Sequence, residues 1–308
     1  MRMSLTTATA ALAVACLFLG CDAPDTESQT AQQAEDSEWI QLFNGTDLSG
    51  WDTYLGPLVE VDSTDSSRTE IPGSELGLNN DPNDDFSVAE EDGTPVIRIS
   101  GVTGGGISTV DSTYGNYHFR MELKWGEGNP WLRSRGDSGL LYHAGGEQGA
   151  DQGYWLRSHE YQIMPTSYGD YIAIEGCVGD VPSRQADDGD DWVYDPNGEL
   201  RAFTRVQELT DTGGSIDRLP SFEDPDSDWI TLELYTLGET AVHVVDGEVV
   251  LVLHNSRLHE NGQTNPLTEG KIQIQSEGSE VFLRNIELRS ISELPPDLLE
   301  GHTMAAAG

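Results

Sequence analysis

Residues 116–125 constrain the fold more than any other stretch, because Tyr117, Phe119, Met121, Leu123 and Trp125 alternate with His118, Arg120, Glu122 and Lys124. A period of two is the pattern of a half-buried strand, and no helix can put those five apolar residues on one side. His118, on the polar face, is expected as a solvated cross-strand neighbour. Residues 230–237, 240–254, 271–275 and 281–291 read as further strands. Asp246-Gly247, set between Val-rich runs, is the pattern of a two-residue hairpin turn. Roughly a dozen strands, few segments of helical period and frequent Gly turns predict an all-β fold of two antiparallel sheets packed as a sandwich.

Residues 136–143 and 155–163 predict two strands joined by a Gly-rich connection. On the second, Glu160 and Gln162 share one face while Tyr161 and Ile163 share the other and can anchor in a core. On the first, Gly139, Leu141 and His143 share a face, so a matching register would bring His143 near Glu160. The bland reading of such a floor is a solvated sheet face, and the alternative is a ligand surface. Trp39, Phe43 and Trp51 are expected core anchors. Residues 55–85 read as a long loop region, and residues 179–228, acidic and weakly periodic, as an insertion packed over the sheet.

With 54 acidic against 16 basic residues in 308, the net charge of −38 argues against nucleic acid, whose phosphates require Lys and Arg patches. The N-terminus carries Arg2, a small apolar run over residues 8–20, then Cys21. That run is too short for a permanent span and fits an export signal. Phe18-Leu19-Gly20-Cys21 resembles a bacterial lipoprotein signal, which implies a lipid on Cys21, membrane attachment and a cell-envelope location. Cleavage at Ala13-Val14-Ala15-Cys16, or without lipid, is the alternative. The expected organisation is a signal over residues 1–20, a disordered tether over 21–38, one domain over 39–291 and a weakly structured tail over 292–308. Cys177 would then be the remaining thiol, and its place beside an apolar run favours a buried structural role.

A conventional glycosidase needs two carboxyls across the scissile bond, but four residues after Glu160 stands Met164. Asp170 or Glu175 would have to substitute. Gly104-Gly105-Gly106 lacks the spacing of a nucleotide loop and reads as a turn or bulge, and Ser138 lacks the context of a hydrolase nucleophile. His143, Glu160, His243 and Glu277 offer mixed nitrogen and oxygen ligands for a divalent cation such as Ca, Mg, Mn or Zn if the fold makes them converge. Residues 187–191 are an acidic loop without the spacing of a calcium helix-loop-helix.

Several motifs, in order, resemble the 3-keto-disaccharide hydrolase domains. They are Trp39-Ile40-Gln41-Leu42-Phe43-Asn44-Gly45 with Leu48-Ser49-Gly50-Trp51, Gly136-Asp137-Ser138-Gly139-Leu140-Leu141-Tyr142-His143, Trp155-Leu156-Arg157-Ser158-His159-Glu160-Tyr161-Gln162-Ile163 before Gly169-Asp170-Tyr171, and the closing runs around Asp246-Gly247, Lys271-Ile272-Gln273-Ile274-Gln275 and Arg284-Asn285-Ile286-Glu287. The resemblance implies a concanavalin-like jelly-roll sandwich with its ligand on the concave face. It also implies cleavage of sugars already oxidised at C3, supplied by an upstream sugar 3-oxidase. The C3 carbonyl acidifies the C2 proton, so one base can remove it, the enolate can expel the C1 substituent and water can add. The roles implied are His143 or His243 as C2 base or metal ligand, and Glu160 as metal ligand or acid/base. Gln162, Glu277 and Arg284 would give polar support, with Tyr142 and Trp155 against the sugar. Arg284 has a purely structural alternative, and the whole sandwich has one as a non-catalytic glycan-binding module.

Overall fold

The computed structural model describes residues 38–62, 68–111, 114–127, 136–187, 189 and 191–302. The expected signal, the lipidated Cys21 and nearly all of the tether lie outside the described residues. Among those described, the chain forms a twelve-stranded and an eight-stranded sheet, with a separate ribbon of Val59–Val61 and Arg68–Glu70. Every named strand pair is antiparallel, and the helical element is one short 3-10 turn, Gln207–Leu209. This is the predicted jelly-roll sandwich, and its physical basis is visible strand by strand.

Tyr117–Trp125 lies at the centre of the larger sheet between Ile230–Leu237 and Val281–Ser290. Tyr117, Phe119, Met121 and Leu123 are buried against the facing sheet. On its outer face Glu122 pairs with Arg284 at 2.6 Å, Lys124 pairs with Glu91 at 3.2 Å, and Arg120 pairs with Glu287. Partly exposed pairs of this kind contribute about 0.2–1 kcal/mol each, so the apolar side carries the strand's stability. The hairpin between Thr240–Val245 and Glu248–Glu260 turns through Asp246 (φ 46°) and Gly247 (φ 83°), the two positive values a type I′ turn requires.

Four expectations change. His118 is only 4 % exposed, because Trp39 packs edge-on to it at 4.8 Å and Tyr235 stacks on it at 3.8 Å, and its Nε2 meets Glu233 at 2.6 Å. Trp39 therefore anchors the outer face, with Arg120 and Arg289 over its ring, rather than the core. Residues 179–228 contribute strands to both sheets rather than only lying over one: Cys177–Gln185, Trp192–Tyr194 and Glu199–Phe203 extend the larger sheet, and Ser215–Ile216 edges the smaller one. Gly104-Gly105-Gly106 leads into the strand Gly105–Thr109 instead of a turn.

The described part of the tail, residues 292–302, is pinned as well. Leu294, Leu298 and Leu299 pack on the core, and the His302 ring stacks on Tyr194 with a 2.8 Å hydrogen bond.

Candidate active site

The smaller sheet runs in the order Ser215–Ile216, Tyr171–Ala173, Arg157–Ile163, Ser138–Gly145, Lys271–Ser276, Gly105–Thr109, Trp51–Leu55, Gly77–Leu78. Leu140, Tyr142, Tyr161, Ile163, Ile274 and Ile107 point into the core between the sheets. Alternation turns Gly139, Leu141, Glu160, Gln162, Gln273, Gln275 and Gly106 to the other face. The register sets Leu141 opposite both Glu160 and Gln273, and Gln275 opposite Gly106.

Two glycines make this floor polar. A Cβ on Gly139 would lie 2.6 Å from Glu160 Oε1 and would also strike the Gln275 carboxamide, and one on Gly106 would lie 2.8 Å from Gln273 Nε2. Both positions are left bare so that the head groups of the neighbouring strands can lie across them. Over the floor folds the connection 146–156. Trp155 donates from Nε1 to the Gly105 carbonyl at 2.9 Å, and Leu156 N–H donates to Gln273 Oε1 at 3.0 Å. Asp151 Oδ1 accepts from Arg205 Nη1 at 2.7 Å, and Tyr154 OH donates to Glu70 at 2.9 Å. Leu141, Ala144, Tyr154, Trp155 and Leu156 form a second apolar cluster, separate from the main core.

Beneath that cover Glu160 is 3 % exposed. Burial pushes its carboxyl pKa up to about 8; the Asp151 charge adds to the rise, while Arg205 and Gln275 oppose it. At pH 7 the group is therefore mostly protonated. Gln275 Oε1 and Gln273 Nε2, both buried, have no hydrogen-bond partner and point capacity into the same space. Beside Trp155 a cleft of about 320 Å³ is lined by Arg68, Glu70, Tyr154 and Glu277 among others.

Of the predicted site residues, Glu160, Gln162, Trp155 and Glu277 lie on or beside this face. Trp155 is 6 % exposed and committed to the cover, and Gln162 Oε1 accepts from Ile163 N–H at 3.0 Å. Tyr142 and His243 face the opposite way, fully buried between the sheets. His243 Nδ1–H donates to the Gly169 carbonyl at 2.8 Å and its Nε2 accepts from Tyr142 OH at 3.1 Å. Burial holds His243 down near pKa 4. It is a satisfied core histidine, not a base at this face.

Arg284 belongs to the outer face of the larger sheet, bound to Glu122 and lying 3.8 Å over Trp229, which is its structural alternative. His143 does not join Glu160. Its backbone takes a left-handed φ of 50° and the register shifts between Tyr142 and Gly145, which turns the ring toward Tyr142 and His159.

The expected metal ligands fit poorly. His143 and His243 both point away from Glu160, and the described residues contain no group of three or more His, Cys, Asp or Glu able to hold a metal ion. Asp170 is held by the backbone N–H of Arg218 at 2.8 Å, and Glu175 is exposed in a turn, so neither supplies the second carboxyl. Asp151 is the acidic partner instead, and with Arg205, Gln273 and Gln275 it is what sequence reasoning missed. The glutamines were signalled by alternation against Ile272 and Ile274. Asp151 and Arg205 sit in connections that only tertiary folding brings over the sheet. Ser138 and Cys177 are structural: Ser138 Oγ donates to the Gln275 carbonyl at 3.0 Å, and burial lifts the Cys177 thiol to about 12.

The family described as 3-keto-alpha-glucoside-1,2-lyase-like domain matches residues 38–289. A solved structure of a candidate glycosyl hydrolase from Parabacteroides distasonis is 18 % identical, with a TM-score of 0.44, covering 87 % of this chain and 98 % of its own. A second from the same organism is 17 % identical, with a TM-score of 0.42, covering 82 % and 100 %. A carbohydrate-binding module from Bacillus subtilis is 11 % identical, with a TM-score of 0.36, covering 67 % and 92 %. No curated protein matches the chain.

Proposed function

The chain belongs to the family of 3-keto-α-glucoside-1,2-lyase-like domains, and from that premise we propose that it cleaves 3-keto-glycosides by elimination at C1 and C2, with Glu160 as the proton-transfer group. The observation that carries this reading is the carboxyl of Glu160, buried on the outer sheet face with its pKa raised to about 8. A general base works best when its pKa lies near the operating pH, where a useful ionised fraction coexists with high basicity. An ordinary carboxylate is far too weak by that measure.

In the proposed cycle the ionised Glu160 removes the C2 proton, which the C3 carbonyl has acidified, and negative charge moves to the C3 oxygen. The Arg205 guanidinium, held by Asp151 and 40 % exposed along its side chain, donates to that oxygen. The C1–O bond then breaks, and Glu160, now protonated, returns its proton to the departing oxygen. Water adding across the unsaturated sugar would complete net hydrolysis. Gln273 Nε2 and Gln275 Oε1 supply a donor and an acceptor for sugar hydroxyls. The cover over residues 146–156, tied down by Gly105, Gln273 and Arg205, has to part to admit the sugar. No step requires a metal. The substrate implies an oxidation at C3 upstream, and the expected N-terminal export signal would put the cleavage in the cell envelope.

The presence of Asp151 beside Glu160 favours one second reading, a conventional two-carboxyl glycosidase. Against it, Asp151 is 1 % exposed and already engaged by Arg205. The test is product analysis with a 3-keto-glucoside and its unoxidised parent, with wild type and Glu160→Gln. We expect cleavage of the keto form alone and a loss of about 10²–10⁴ in kcat in the variant. Cleavage of the parent at a similar rate would replace elimination with ordinary hydrolysis, and an undiminished rate in the variant would remove Glu160 from the mechanism.

A further inference from the structure

His143 is buried to 1 % exposure, and its ring finds no side-chain partner: it reaches only the Leu267 backbone, which leaves one ring nitrogen unpaired. Such an omission is costly, since a buried polar atom left unpaired forfeits the hydrogen bond it would make with water. Two more orphans lie around the same cavity, Gln148 Oε1 and Arg157 Nη1. The cavity holds about 300 Å³ and is completed by Ala144, Leu156, Glu269, Lys271 and three glycines, within the range of small-ligand sites. The glycines shape it. The Arg157 guanidinium lies over Gly145, where a Cβ would be 3.0 Å from Nη2, and a Cβ on Gly270 would run into the His143 backbone.

The inventory selects a ligand class. With its N–H turned to the Leu267 backbone the neutral imidazole keeps one acceptor, Gln148 Oε1 is an acceptor, and Arg157 Nη1 is a donor. An anion would leave both acceptors unpaired and would meet the Glu269 carboxylate in a chain of net charge −38. A cation would meet Arg157. What satisfies donors and acceptors together is a set of neighbouring hydroxyls, each of which gives and takes a hydrogen bond, while Ala144 and Leu156 offer an apolar wall for C–H groups.

We propose that the cavity bounded by His143, Gln148 and Arg157 is a second saccharide-binding site, distinct from the Glu160 face, which takes the vicinal hydroxyls of an unoxidised sugar. It rests on the proposed carbohydrate function only in the choice of sugar, since the argument from unpaired atoms is independent of turnover. Lys271 is not part of the recognition set, because its Nζ is committed to the Thr109 carbonyl at 2.7 Å and to Asp52 at 3.4 Å.

The test is calorimetric titration of the full chain with methyl α-glucoside and with maltose, alongside acetate and inorganic phosphate. Arg157→Met, Gln148→Met and Glu160→Gln are compared after thermal melting confirms that each folds. Because His143 sits in a strained backbone position, its imidazole proton resonances in wild type are followed in place of a substitution. We expect saccharide binding that shifts those resonances, weakens about tenfold in Arg157→Met and in Gln148→Met, as the loss of one hydrogen bond to a charged or buried group implies, and is unchanged in Glu160→Gln. Binding of phosphate or acetate with no sugar binding would overturn the ligand class. Sugar binding that survives both methionine variants, or is lost in Glu160→Gln, would overturn the site. The absence of any binding would leave the cavity to water and overturn the proposal without touching the elimination chemistry, which is read by turnover of the keto sugar.

Discussion

At the residue scale the proposed function turns on how a carboxyl becomes a base. Glu160 alternates with Tyr161 and Ile163, so its exposure to one face follows directly from strand geometry, and to that extent it was legible. Its raised pKa was not, because it comes first from burial under the assembled cover, and two of the other groups that set it, Arg205 and Gln275, come from distant parts of the chain. Asp151 raises the Glu160 pKa, and Arg205 and Gln275 lower it. The two charges can be removed separately and should act in opposite directions. Asp151→Asn is expected to move the ionisation of Glu160, seen as the rising limb of kcat/KM against pH, toward lower pH, and Arg205→Met toward higher pH. Rate profiles measured across the neutral to alkaline range check this. Shifts in the same direction would mean that the limb belongs to another group. Arg205→Met should also cost kcat, since it removes the donor proposed for the C3 oxygen.

At the scale of elements, the site depends on what the strands leave out. Gly139 stands bare on its strand because Glu160 and Gln275 occupy the space above it. Gly139→Ala should push both head groups aside and destabilise the fold by about 1–3 kcal/mol, as overpacking does. It should also lower activity beyond the change in folded fraction. Thermal melting and kinetics on the same preparation separate the two effects, and full activity would show that the carboxyl need not rest over Gly139. The bulge at His143 illustrates the opposite limit of strand reasoning. Simple alternation from Gly139 through Leu141 put His143 on the Glu160 face, whereas one left-handed residue turned its ring toward His159 instead. A single positive φ in a non-glycine residue leaves no mark in the sequence pattern. The strands within residues 179–228 escape the pattern for a related reason: Cys177–Gln185, paired on both sides and containing a Pro and a Gly, does not alternate cleanly.

At the scale of the whole molecule, buried ionisable groups couple stability to pH in two windows. His143 and His243 have pKa values lowered by burial to about 4 from the ordinary 6.5, so the unfolded chain binds protons first. Their contribution is complete above pH 6.5 and is lost as pH falls toward 4. Glu160 is raised from 4.5 to about 8, so the folded state holds its proton more tightly. That contribution is complete below pH 4.5 and is lost as pH rises through 8. Unfolding midpoints should therefore fall on both sides of a maximum at mildly acidic to neutral pH. In Glu160→Gln the alkaline decline should diminish while the acid decline stays. Equal alkaline declines in variant and wild type, followed by chemical denaturation at fixed ionic strength, would refute the linkage.

By itself, the sequence determined an all-β sandwich, because period-two alternation and Gly turns are local and each strand carries its own instruction. It also determined the position of the hairpin at Asp246-Gly247 and the family of the fold, through motifs spread from Trp39 to Glu287. Tertiary structure alone decided which polar residues meet. Register placed Leu141, not His143, opposite Glu160. Burial turned Tyr142 and His243 into core partners. Long-range closure brought Asp151 and Arg205 over the sheet. Electrostatics and desolvation act through space rather than along the chain, so the residue proposed to do the chemistry could be found in one strand, while its raised pKa belongs to the assembled sheet and the connection folded across it.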